Sequence, residues 1–192
     1  MSDTVPSMKE KLQFIIEGGC VVRYHARPGV KPDTDAHHSH GVAMLCYLLS
    51  GAQGPSANLL LAALTHDLGE QKGGDIPSPT KRLLGISEQH AKVEEDALKH
   101  YELYFYDLLT LEEKQILAWA DMFDGMLYTC RELALGNKMM VLVYRRYRSY
   151  VQSIYANLTA EAQTVYAAIQ KIYKEYRHEP CYDVFTATEN HA

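Results

Sequence analysis

Apolar residues recur along this chain three and four positions apart, and stretches that alternate with period two, or that look like hairpin turns, are hard to find. The pattern predicts helices from end to end. Ser7 followed by Glu10 makes a capping box ahead of Leu12, Phe14, Ile15 and Ile16, and Gly18 with Gly19 stops that first helix. A second is expected from His38 to Ser50, with Val42, Leu45, Leu48 and Leu49 on one side and a breaker from Gly51 to Pro55. Ser56 caps the apolar run Leu59 to Leu68. The segment GEQKGGDIPSP, Gly69 to Pro79, is dense in glycine and proline and predicts an irregular loop. Helical patterning resumes at Ser87 and runs to about Tyr106, and Thr110 with Glu113 caps a helix reaching Gly136. Two more are expected at about Lys138 to Ala156 and Thr159 to Tyr176, followed by an irregular surface tail from His178 to Ala192. The expected fold is therefore all-α, a compact multi-helix bundle. No repeat, low-complexity tract or linker divides the chain, so one domain is expected over residues 1–192.

Composition narrows the class. With 47% hydrophobic and 22% charged residues the chain should fold without a partner. A net charge of −5 argues against broad binding to a nucleic-acid polymer, which needs a continuous basic surface. Any anionic ligand must be held locally, and Arg23, Arg27 and Lys31 ahead of His38, with Lys72, Lys81 and Arg82 further on, can supply the charge. Cys20, Cys46, Cys130 and Cys181 are widely spaced and form no C-x-x-C pair, which fits a reducing cytoplasm. Neither a signal peptide nor an apolar run long enough for a membrane span is visible.

The chemistry concentrates around THDLGE. His66 and Asp67 stand at a predicted helix end, with Glu70 about one turn later on the same side. Imidazole nitrogen and carboxylate oxygen suit a borderline divalent ion such as Zn²⁺, Mn²⁺, Co²⁺ or Fe²⁺. A His-Asp dipeptide alone is weak evidence, but HHSHGVAML opens an upstream helix and WADMFDG lies within a downstream one. Asp121, set between Ala118, Trp119, Met122 and Phe123, needs a partner if it is buried. Beside such an ion Glu70 suits a general base, and Arg23 and Lys81 suit phosphate oxygens. Asp75 would repel phosphate, so a sugar hydroxyl or a second metal is its expected partner.

The order of a His on one helix, His-Asp at the end of another and an Asp on a third resembles the HD superfamily of metal-dependent phosphohydrolases. His38-Ser39 followed by Val42-Ala43 is similar to that family's H-S-x-x-V-A element, which selects His38 over His37 and His40, and Ala120-Asp121 matches its final ligand better than Asp124 does. The resemblance thus implies His38, His66, Asp67 and Asp121 as metal ligands. HDLGEQKGGDIPSPTK also resembles the HDxxE…GDxPxPxK segment of bacterial 5′-deoxynucleotidases, and Arg23-Tyr24 stands where that family has Arg-Trp, with Tyr24 departing from it. The likeness covers residues from about 20 to 130. Phage dATP triphosphohydrolases match in size and spacing. Hydrolysis of dATP to deoxyadenosine and triphosphate, weaker on dADP and dAMP, is the expected activity. Arg23, Tyr24, Asp75 and Lys81 are its substrate residues, and Glu70 with Asp75 offers a place for an additional Mg²⁺, Mn²⁺ or Co²⁺ beside the triphosphate. A 5′-deoxynucleotidase acting on monophosphates and a non-catalytic nucleotide-sensing module are the alternatives. The resembling families also imply a homo-oligomer, to which Tyr144, Tyr147, Tyr150 and Tyr155 would contribute, and the host cytoplasm as location if the chain is viral.

Overall fold

The computed structural model of the chain describes residues 5–178. Its helices are α1 (Met8–Gly19), α2 (Asp35–Leu49), α3 (Ala57–Thr65), α4 (Glu70–Gly73), α5 (Ser78–Leu84), α6 (Ser87–His100), α7 (Leu111–Ala134), α8 (Val141–Ile154) and α9 (Ala160–His178). The all-α class expected from the periodicity is the one observed. A single antiparallel ribbon escaped it: β1 (Val22–Arg23) pairs with β2 (Asp33–Thr34), Val22 opposite Thr34 and Arg23 opposite Asp33. Two-residue strands are too short to show an alternation.

Caps explain where most helices begin. Ser7 and Glu10 form the expected box, and Thr110 and Glu113 form another, with Glu113 N–H donating to Thr110 Oγ1 at 3.2 Å and Thr110 N–H to the Glu113 carboxylate at 2.9 Å. The Ser56 hydroxyl accepts from Leu59 N–H at 3.1 Å. α2 starts three residues earlier than the sequence suggests. Thr34 is its N-cap, and Asp35 occupies the first turn, where the helix dipole favours a carboxylate. His38 consequently lies within the helix, fully buried, instead of at an exposed start.

The segment expected to be wholly irregular contains α4 and the start of α5. Pro79 does not prevent α5, because it falls in the first turn, where a backbone N–H has no helical acceptor. α6 ends at His100, short of Tyr106, as Glu102 takes a positive φ of 59° and Leu103 N–H turns back to Leu98 O at 2.8 Å. The tail beyond His178 lies outside the described residues.

The chain divides into two compact units, one ending at Asp124 and one beginning at Gly125, within α7. In the first unit α2 packs most broadly on α3, α1 leans on α2 and α4, and α6 covers α4 and α5. Phe14, Leu68, Ala97 and Leu98 form a buried cluster joined by Tyr101, Leu103 and Tyr104, with the Phe14 and Tyr101 rings stacked 4.0 Å apart. Leu68 directly follows Asp67, so its burial, worth about 1.5–3 kcal/mol, anchors the segment that carries the His-Asp pair. Gly69 tightens the same anchor: a Cβ there would collide with the Glu94 backbone of α6. In the second unit Tyr144 and Tyr173 stack 3.7 Å apart among buried Val143, Val151, Tyr166 and Ile169, whereas Tyr150 and Tyr155 are exposed. Among the described residues no helix is long and apolar enough to cross a membrane.

Candidate functional site

Four segments of the first unit converge on one point. Asp35 and His38 share a face of α2 one turn apart, His66 and Asp67 follow the last turn of α3, Glu70 opens α4, and Asp121 and Asp124 share a face of α7. His38 Nε2 stands 3.1 Å from Asp121 Oδ1 and 3.5 Å from Asp67 Oδ2, and His66 Nε2 stands 3.4 Å from the same Asp67 oxygen. The two imidazole rings are 5.2 Å apart. Ligand atoms of His38, His66 and Asp67 all lie within 4.8 Å of one another, as do those of Asp35, Asp67 and Glu70.

Both imidazoles are turned by their other nitrogen. Nδ1–H of His38 donates to Asp124 Oδ2 at 2.6 Å, and Nδ1–H of His66 donates to the Ala63 carbonyl at 2.9 Å. A carboxylate and a carbonyl can only accept, so the lone pair of each neutral ring is left on Nε2. Both Nε2 atoms are buried and make no hydrogen bond. Buried polar atoms without a partner are costly. Two such nitrogens facing Asp67 and Asp121 have the chemistry that a divalent ion requires, so the residues present fit the ion that the sequence implies.

The charges fit it as well. Burial favours neutral Asp67, but the electrostatic pull of the neighbouring His66 imidazole and Arg23 guanidinium outweighs it and holds this carboxyl below the usual range. The surrounding protein likewise works against ionised Asp121, yet the neighbouring His38 imidazole, aided by His66, keeps that carboxyl low; 49% of its side chain is open to solvent. Burial disfavours a charged His38, and the Asp121 and Asp124 carboxylates beside its two nitrogens overcome this to push it up to about 10. A proton and a divalent cation therefore compete for the same nitrogen. Burial, reinforced by Asp67, raises Asp35 to about 7. Burial together with Asp67, Asp35 and Asp75 pushes Glu70 up to about 9. The pocket thus holds more carboxylates than its native cation, Arg23, can balance.

Arg23 comes to this pocket from the ribbon. Its Nη1 pairs with Asp67 Oδ2 and lies 3.5 Å from Asp35 Oδ1. Tyr24, next along, has a positive φ of 55°, and its backbone N–H donates to Asp75 Oδ2 at 3.1 Å. Asp75 is thereby engaged with the Tyr24 backbone, and Glu70 clusters with Asp35 and Asp67. Lys81, on α5, pairs with Glu94 at 3.2 Å, and Glu94 also lies 2.6 Å from His90 Nδ1. Sequence reasoning missed Asp35 and the contact of Asp124 with His38. The one-turn spacings from Asp35 to His38 and from Asp121 to Asp124 were the signals available.

A family model described as 5′-deoxynucleotidase YfbR-like matches residues 13–176. Among solved structures, the HD phosphohydrolase DatZ of cyanophage S-2L, bound to dA and one catalytic Zn²⁺ ion, superposes with a TM-score of 0.66 at 20% identity, covering 90% of this chain and 99% of that one. An HD-domain phosphohydrolase from Listeria innocua gives 0.66 at 21% identity, covering 90% of each chain. The PH0347 protein of Pyrococcus horikoshii gives 0.65 at 22% identity, covering 87% of this chain and 99% of that one. At such identities the likeness establishes the fold. No curated protein matches the chain.

Proposed function

The chain belongs to the YfbR-like 5′-deoxynucleotidase family of metal-dependent HD-domain phosphohydrolases, and from that premise we propose that it hydrolyses dATP to deoxyadenosine and triphosphate. Weaker action on dADP and dAMP is part of the same reading. The observation that carries it is the meeting of two buried, unpartnered imidazole nitrogens with two carboxylates, His38 and His66 with Asp67 and Asp121. These four residues hold one divalent transition ion. When bound, the ion polarises a phosphoryl oxygen and acidifies water for attack.

The protein's own groups do the rest. Glu70, buried beside Asp35 and Asp67, stands where it can receive the proton of the attacking water, the charge of the bound ion favouring its ionised form. The water oxygen bonds to the α-phosphorus, the bond from phosphorus to the 5′ oxygen breaks, and the departing deoxyadenosine oxygen takes up a proton from solvent water, while Glu70 returns its own to solvent. Arg23 trades its Asp67 contact for phosphate oxygens, which its planar fork fits bidentately. Lys81 adds a second cation for the triphosphate. Tyr24 faces the sugar, and Asp75 holds the Tyr24 backbone in its left-handed conformation. An additional divalent ion arriving with the triphosphate would find carboxylates in Asp35, Asp67 and Glu70. The preference for dATP is supported by the DatZ structure, which carries dA on the same fold over nearly its full length. A homo-oligomer working in the cytoplasm completes the proposal.

The family description favours a second reading, hydrolysis of deoxynucleoside 5′-monophosphates. Chromatographic analysis of products after incubation with dATP, dADP, dAMP, ATP and dGTP, with Mn²⁺ or Co²⁺, separates the two. Deoxyadenosine and intact triphosphate from dATP are the expected result. Hydrolysis of dAMP and other deoxymonophosphates while dATP survives would establish the second reading. Nucleotide binding without any turnover would make the protein a sensing module.

A further inference from the structure

We propose that Asp124 is a positioning residue for the metal site and that Gly41 is the residue that admits it. The inference rests on the assignment of His38 as a metal ligand.

The Asp124 carboxylate meets His38 at Nδ1, 2.6 Å away, on the side of the ring turned from Asp67 and Asp121. The two ring nitrogens point in divergent directions, so Asp124 cannot share the ion bound at Nε2. Although it stands one turn from Asp121 and looks like an alternative ligand in the sequence, its contact is with the ligand. By accepting the Nδ1 proton it fixes the tautomer whose lone pair is on Nε2, and it holds the ring plane toward Asp67 and Asp121. His66 receives the same service from the Ala63 carbonyl of its own helix, a neutral acceptor. Of the two, only His38 has an anionic acceptor, so its ring is held by a charge-assisted hydrogen bond.

Gly41 makes this arrangement possible. It lies on α2 one turn after His38, and a Cβ built on it would overlap Asp124 Oδ1, well inside van der Waals contact. Helix propensity favours alanine over glycine at an interior position, so a glycine inside α2 requires a packing reason. Here the reason is the carboxylate of α7. Backbone freedom plays no part, because Gly41 keeps an ordinary helical conformation; what matters is the missing side chain.

The test is Zn²⁺ affinity, measured by competition with a chromophoric chelator on wild type, Asp124→Ala, Asp124→Asn, Gly41→Ala and the Gly41→Ala/Asp124→Ala double variant. Asp124→Ala should weaken Zn²⁺ binding roughly 10- to 100-fold, the usual effect of losing a carboxylate behind a metal-bound histidine. Asp124→Asn retains one acceptor in the same shape, so it should fold and lose less. Gly41→Ala, despite a side chain that suits a helix, should approach the Asp124→Ala value. Because both changes remove one contact, the double variant should bind no more weakly than Asp124→Ala alone. Activity of the variants should return as Zn²⁺ is raised, with the KM for nucleotide unchanged. Wild-type affinity in Asp124→Ala, or losses that add in the double variant, would overturn the inference while leaving the metal assignment standing. Failure of the wild-type protein to bind Zn²⁺ would instead remove the metal assignment, and this inference with it.

Discussion

Replacing Asp67 by alanine is expected to give a folded helical protein that retains no stoichiometric divalent metal and shows no nucleotide turnover above background. Asp67 Oδ2 is the atom shared by every branch of the pocket: His38 Nε2 at 3.5 Å, His66 Nε2 at 3.4 Å, and the Arg23 guanidinium. Without it, the two Nε2 donors lose the one carboxylate oxygen that both approach, and Asp121 is the only carboxylate left among the four ligands. Three ligands hold an ion far more weakly than four. The backbone should survive, because neighbouring Leu68 is held in the Phe14 cluster and Gly69 is packed against α6. Metal content by plasma emission spectroscopy and helicity by circular dichroism check both halves. Unchanged metal stoichiometry in this variant would remove Asp67 from the site.

For Glu70→Gln the expectation is different: metal is kept, and kcat falls by roughly two to four orders of magnitude, the range for a positioned acid-base group. Glutamine keeps the shape of the side chain and loses the ability to accept a proton from water. Thermal stability of the metal-free variant should not fall. In the wild type, burial and the charges of Asp67, Asp35 and Asp75 push Glu70 to about 9, a sign that its ionised form is unwelcome in the fold. Removing a strained functional group commonly leaves a protein as stable or more so. Near-normal kcat at saturating metal would reduce Glu70 to a structural role, whereas a fall in melting temperature would contradict the electrostatic account.

The helical architecture was legible because its signals are local. Ser7 with Glu10 and Thr110 with Glu113 announce their helix starts in four residues each, and the apolar spacing of α7 and α9 carries across several turns. What depends on distant contacts was not legible. β1 pairs with β2 only because Val22 and Thr34 meet across a loop, and that ribbon is what brings Arg23 to Asp35 and Asp67. The Gly-Pro-rich stretch from Gly69 to Pro79 reads as loop by composition, yet it contains α4 and the start of α5, helices that pack on α6.

The pocket divides in the same way. His38, His66, Asp67 and Glu70 cluster in the structure, Arg23 pairs with Asp67, and Asp121 meets the cluster through His38. Asp35 stayed hidden because a carboxylate in a first helical turn is common on dipole grounds alone, and only the fold shows it fully buried beside Arg23. Asp124 was visible one turn from Asp121, but its partner, Nδ1 of His38, lies 86 residues away in sequence. Asp75 and Lys81 follow their motif in the chain, and the structure gives their charges to Tyr24 and Glu94.

His38, His66, Asp67 and Asp121, as proposed above, hold one divalent ion on which hydrolysis depends. An anomalous difference map from crystals of the active protein grown with Co²⁺ tests it most directly. The predicted result is one strong peak at about 2.0–2.2 Å from His38 Nε2, His66 Nε2 and the carboxylates of Asp67 and Asp121, distances normal for nitrogen and oxygen ligands of such ions. A fully occupied ion elsewhere on the chain, with these four side chains unliganded in protein that turns over nucleotide, would contradict it.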